Sequence, residues 1–214
     1  MLFSDPLAFR PIEVLHWREL CAAGLDRELA EAVNAGDRGA LPGDLIRAAL
    51  ATSPCQDIGE YFRSSQWELE LSSAFSITAA MEGKLRLDAM QRASTAASSG
   101  PVGVRLKHLY SLARKDWAVP LYENGILDAW KHEAWSLGEA SVCRAIGSYA
   151  PWLAIRHWIA HGRYWSAKHD SSRIMSLHAS RVVDRLVIEL DRFCELNGWP
   201  GFPATASVAF SSRK

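Results

Sequence analysis

Apolar residues recur along the chain at intervals of three and four, and no stretch alternates apolar with polar residues over several β-branched positions. The pattern predicts an all-α fold. Residues 11–35 read as one helix or two, with Leu15, Leu20, Leu25 and Leu29 as candidate core positions and Gly24 as a candidate break. Short helices are expected over 43–52 and 57–64, separated by Ser53-Pro54. A long helix over 66–97 would turn Leu69, Phe75, Ala79, Leu85 and Met90 inward and stop at Ser98-Ser99-Gly100-Pro101. Helices over 105–115 and 121–133 follow, parted by Pro120. The next two cover 138–148 and 150–161, with Pro151 placed in a first turn, where it lacks only an N–H that would be unpaired. Ser171 or Ser172 is expected to cap a last long helix running to 196, with Ile174, Leu177, Val182, Leu186 and Leu190 inward. Beyond Asn197-Gly198, prolines and small residues predict a loosely ordered tail.

With 214 residues the chain can form one substantial core, or a main domain of about 130 to 150 residues with a smaller helical appendage. No run approaches the roughly 18 consecutive apolar residues of a membrane span. The start, Met-Leu-Phe-Ser-Asp-Pro, shows neither a secretory signal nor a lipidation motif, so a cytoplasmic location is expected. Cys21, Cys55, Cys143 and Cys194 have no paired short spacing, which argues against a zinc knuckle or a disulfide framework and predicts small buried thiols. Nine tryptophans are numerous for this length and are expected mainly as core or interface anchors.

The formal net charge is zero, so attraction to phosphate would have to come from local patterning. Between Pro151 and Arg173 the charges are Arg156, Arg163, Lys168, Asp170 and Arg173, with Trp152, Trp158, Tyr164 and Trp165 interleaved. Basic groups among aromatics suit a single-stranded nucleic acid, through backbone neutralisation and base stacking. An ordinary solvated helix face can give the same pattern.

On an ideal helix Trp152, Ile155 and Ile159 share one side, which is core. Roughly opposite lie His157, His161, Tyr164, Leu153 and Ala160. Glu and Lys, the usual components of a solvated face, are missing there. Arg156 lies about 140° round the wheel from His161. The pair can converge if the Arg stem reaches round, if the helix ends at Gly162, or if two copies pool residues across a two-fold axis.

The string Ile155-Arg156-His157-Trp158-Ile159-Ala160-His161-Gly162 resembles the signature of the HEPN family: an Arg, a polar residue and, after four to six intervening positions in all, a His often followed by Gly. The order of a long helix rich in small residues, two shorter ones, the motif helix and a final amphipathic helix is also similar, over roughly residues 65 to 196. The resemblance implies an antiparallel helical bundle over 65–196, with an N-terminal helical extension over 1–64 and the tail over 197–214. It further implies a homodimer joined through the motif helix and a metal-independent endoribonuclease needing no cofactor, with a toxin or antiphage defence role and a neutralising antitoxin partner. Arg156 would hold the scissile phosphate and His161 would serve as general acid or base, with His157 beside it. Arg163, Tyr164 and Lys168 are candidate RNA contacts. The chemistry is coherent, because RNA carries its own 2′-hydroxyl nucleophile and the protein need only move protons and stabilise a phosphorane. Imidazole can do the first at neutral pH and guanidinium the second. Two departures stand out. His157 occupies a position commonly held by Asn, and Arg163 occupies the place where some HEPN toxins carry a nucleotidylated Tyr, so modification is not carried over to Tyr164.

Three rival readings remain. His157 and His161 are spaced for zinc, with His169 or His178 as third ligands, but Trp158 stands where a metalloprotease helix has Glu. The same face could bind RNA, a nucleotide or a partner subunit without cleavage. The histidines could also belong to a structural helix, satisfied by local hydrogen bonds.

Overall fold

The computed structural model describes residues 10–37, 57–161 and 174–203. Among the described residues, six α-helices and one short 3-10 turn make up the regular structure, and no strand occurs. The helices are α1 (Pro11–Asp37), α2 (Ile58–Ser94), α3 (Gly100–Leu112), α4 (Ile126–Ser136), α5 (Ala140–Ala160) and α6 (Ser176–Leu196), with the 3-10 turn Asp116–Ala118 between α3 and α4. No helix among the described residues is long and apolar enough to cross a membrane.

Helix α2 is the centre of the assembly and touches each of the other five. It starts where the Asp57 side chain accepts the Glu60 N–H at 2.7 Å, so the expected short helix over 57–64 is the first part of α2 and the helix crosses residue 64 unbroken. Gly100 (φ 64°) and Pro101, in the first turn of α3, turn the chain out of it. The buried stripe is Leu71, Ala74, Ile77, Met81, Leu85 and Ala89, at the three-and-four spacing of a helix packed along its length. Of the five positions expected inward, Leu85 is fully buried, whereas Leu69, Phe75 and Ala79 are half-buried and Met90 is exposed. The true stripe also contains Ser73, Thr78, Asp88 and Arg92, polar residues that a search for apolar spacing passes over.

Three other expectations are corrected. Helix α1 runs unbroken through Gly24, and Leu20 points to solvent while Leu15 and Val14 face the core. Helix α5 is continuous, so Pro151 sits in its interior rather than in a first turn. Pro151 and Gly147, four residues earlier, both lie on the exposed side, where water can take the bond that proline cannot make. Leu177 of α6 is exposed, and the helix starts at Ser176. The expected caps Ser171 and Ser172, the helix over 43–52, the break at Ser53-Pro54 and Cys55 lie outside the described residues. Trp130 and Trp152 are core anchors as expected, while Trp135 and Trp17 are exposed.

Two buried polar constructions tie distant segments together. In the first, Arg92 and Asp88 are both fully buried on α2, with Arg92 Nε 3.0 Å from each Asp88 carboxylate oxygen. Arg92 Nη2 also donates to the carbonyls of Pro200 and Gly201 at 2.9 Å and to Cys194 Sγ at 3.3 Å, and the guanidinium lies 4.7 Å from the centre of the Trp130 ring. Phe202 is buried against Trp130, and Trp199 packs edge-on to Phe193. The first residues of the expected tail are thereby fixed to the bundle. Burial pushes the Cys194 thiol up to about 12, partly offset by the charge of Arg92. Cys194 is thus the small buried thiol expected from the sequence, whereas Cys21 and Cys143 are only half-buried.

In the second, Glu70 of α2 accepts from the Ser176 N–H at 2.8 Å and the Ser176 hydroxyl at 2.7 Å, while its other oxygen pairs with Arg18 of α1. Helix α6 has no cap on its own N-cap residue, Met175, so a carboxylate from another helix does the capping. Burial works against ionisation of Glu70, but the Ser176 hydrogen bonds and the Arg18 charge outweigh it and hold the carboxyl below its ordinary value. A depressed folded-state value means stability that is present above the unfolded value and lost as the pH falls through the folded one. Acid melting curves of the wild type should therefore fall more steeply than those of Glu70→Gln, beginning near the ordinary glutamate value of about 4.3 and continuing below it. Parallel curves would contradict this role for Glu70.

Candidate functional site

The last two turns of α5 carry the motif. Tyr149, Trp152 and Ile155 are buried on the core side, and Trp158 and Ile159 are half-buried against it. His157 and His161 are exposed on the other side. Their rings lie 4.2 Å apart between centroids, tilted by 59°. Spacing four apart on a helix produces this neighbourhood. His161 is the C-cap, and its N–H bonds to the His157 carbonyl at 3.1 Å, so the helix ends at Ala160, two residues before Gly162, which is outside the described residues.

Arg156 goes elsewhere. Its guanidinium lies 5.8 Å from the centre of the Phe75 ring of α2, and its Nε is 3.4 Å from Glu82 Oε2. That contact is an ion pair without hydrogen-bond geometry. The other Glu82 oxygen accepts from Arg86 Nε at 2.9 Å, and Arg86 Nη1 donates to the Val119 carbonyl at 2.8 Å. Below this cluster the buried Tyr149 hydroxyl donates to the Thr78 carbonyl at 3.0 Å. Burial raises its proton affinity, Glu82 adds to that, and Arg156 and Arg86 oppose it. Within one copy of the chain, therefore, the two histidines sit together on the exposed face while Arg156 is held against α2.

Glu82, Arg86 and Tyr149 escaped the sequence reading. A signal existed for the first two, since a Glu and an Arg four apart on one helix form a ready ion pair, but nothing local ties that pair to Arg156 on a helix some seventy residues away. The candidate RNA contacts Arg163, Tyr164 and Lys168 lie outside the described residues. Among the described residues no group of three or more His, Cys, Asp or Glu side chains could hold a metal ion. His169 is outside them, and His178 packs edge-on to Trp152 at 5.5 Å.

No family model, curated protein or solved structure matches the chain.

Proposed function

We propose that the protein is a metal-independent endoribonuclease of HEPN type, with Arg156 and His161 as its working groups and His157 beside them. The observation that carries the proposal is the solvent-facing pair His157 and His161, in ring contact on the closing turn of α5 directly after Arg156. Imidazole and guanidinium are the groups that supply the two functions that cleavage by an internal 2′-hydroxyl needs, proton transfer and stabilisation of a charged phosphorane. Arg156 is about one-third exposed and its contact with Glu82 is loose at 3.4 Å, so exchanging the carboxylate for a phosphate costs little. A second copy meeting this face through α5 would add another Arg156 and His161, letting two histidines divide the acid and base tasks. A cytoplasmic toxin or antiphage effector with a neutralising partner is the biological role that fits such an activity.

The Glu82 contact favours a second reading, a non-catalytic module for RNA, a nucleotide or a partner subunit, because a carboxylate already neutralises Arg156. Substrate chemistry separates the two. The nuclease leaves 2′,3′-cyclic phosphate and 5′-hydroxyl ends and spares an RNA with deoxyribose at the scissile position. Efficient cleavage of that substrate would contradict the mechanism, and binding without cleavage of all-ribose RNA would establish the second reading.

A further inference from the structure

We propose that the cleft between α3 and α4 binds a phosphate monoester through Arg105, His108 and His132. The cleft has a volume of about 300 Å³ and is lined by Arg105, His108 and Leu109 of α3 and by the 124–125 turn, Asp128, Ala129 and His132 on the α4 side. Arg105 and His108 are three apart on α3, and Asp128 and His132 are four apart on α4. Each helix thus presents one face of the cleft with two polar groups on it. The turn that closes one end is tightly built: Glu123 and Asn124 have positive φ, and a Cβ on Gly125 would meet the Pro120 carbonyl oxygen at 2.0 Å.

The charge carried along α3 is positive. Residues 89–115 contain no Asp or Glu, in a chain whose formal charge is zero overall. Arg92 is neutralised internally by Asp88, which leaves Arg105, Lys107 and Arg114 as exposed cations along or just after α3. The one carboxylate in the cleft, Asp128, already accepts the Asn124 N–H at 2.5 Å. Among the described residues the side chains of Arg105, His108 and His132 make no hydrogen bond or ion pair, so a ligand would displace nothing to reach them. The first N–H groups of α4 are not the attraction, because Ile126 and Leu127 donate theirs to the carbonyls of Pro120 and Leu121. Recognition falls on side chains: a guanidinium fork, which can hold phosphate oxygens in pairs, and two imidazoles line the same cleft from α3 and α4. A volume of about 300 Å³ is at the small end of ligand sites and suits the phosphoryl group of a small molecule.

Calorimetric titration of the full chain with ribose 5-phosphate and with inorganic phosphate, at fixed ionic strength, tests the site without reference to RNA cleavage. Saturable binding is expected for both, weakened about tenfold or more by Arg105→Ala and by His132→Ala, since each removes a charge-assisted contact. Lys107→Ala, on the opposite side of α3, should leave it within about twofold. All three residues are exposed, and unchanged melting curves would show that the variants fold. Absence of saturable binding, an equal loss in Lys107→Ala, or Arg105-dependent binding of an RNA oligonucleotide without binding of either phosphate would overturn the proposal.

Discussion

Replacing Arg92 by alanine is expected to lower the stability of the protein by about 3–5 kcal/mol, a loss of roughly 6–20 °C in melting temperature for a chain of this size. Both members of the Asp88–Arg92 pair are 0% exposed, so the substitution takes the counter-charge away from a buried carboxylate. It also frees the carbonyls of Pro200 and Gly201 and takes the cation off Trp130, so the segment carrying Trp199 and Phe202 should detach first. Exchange of the amide hydrogen on Phe202, which donates to Asp191 at 2.9 Å, should rise in the variant well before the α2 core opens. A double change, Asp88→Asn with Arg92→Met, removes both charges and should recover part of the loss. If Arg92→Ala melts within about 1 kcal/mol of the wild type, the buried pair does not hold the bundle and its C-terminal segment together.

The second large effect concerns the motif. His161→Ala is expected to slow RNA cleavage roughly a hundredfold to ten-thousandfold, the range for loss of a positioned general acid or base. Arg156→Ala should slow it roughly a hundredfold to a thousandfold, as loss of a single transition-state donor does. Both residues lie at the surface or near it, and Arg156 is held only by a loose ion pair, so the folded state should change little. Comparable melting temperatures with lost activity would tie the effect to chemistry rather than to folding. His157→Ala distinguishes a partner from a bystander. Its ring packs against His161, so its removal should alter the pH profile of cleavage even if the maximal rate falls only modestly.

Which parts of this arrangement could be read from sequence follows from how local each one is. Helical spacing and the lack of alternation were sufficient for the all-helical class, and the same spacing correctly turned Trp152 and Ile155 inward and His157 and His161 outward. Both facts depend on residues within four positions of each other. Pro151 misled because a proline ordinarily ends a helix, whereas here the bond it cannot make falls on the solvent side of α5. Leu20 and Leu177 misled because an apolar residue can remain on the surface of a helix whose core face is already filled. Asp88 and Arg92, four apart on one helix, carry no local sign of burial, and only the packing of Trp130, Cys194 and the 199–202 segment over them makes them interior. The same holds for the site. The imidazole pair was visible on one helix, but the Glu82 carboxylate that meets Arg156 comes from α2, and the sequence between them carries no sign of that meeting.

The nuclease reading is tested most directly by incubating single-stranded RNA with purified protein in excess chelator, beside His161→Ala at the same concentration. The wild type is expected to cleave the RNA at an undiminished rate, leaving 2′,3′-cyclic phosphate ends, and the variant, folded to the same extent, is expected not to. Cleavage abolished by the chelator, or retained in full by His161→Ala, would contradict it.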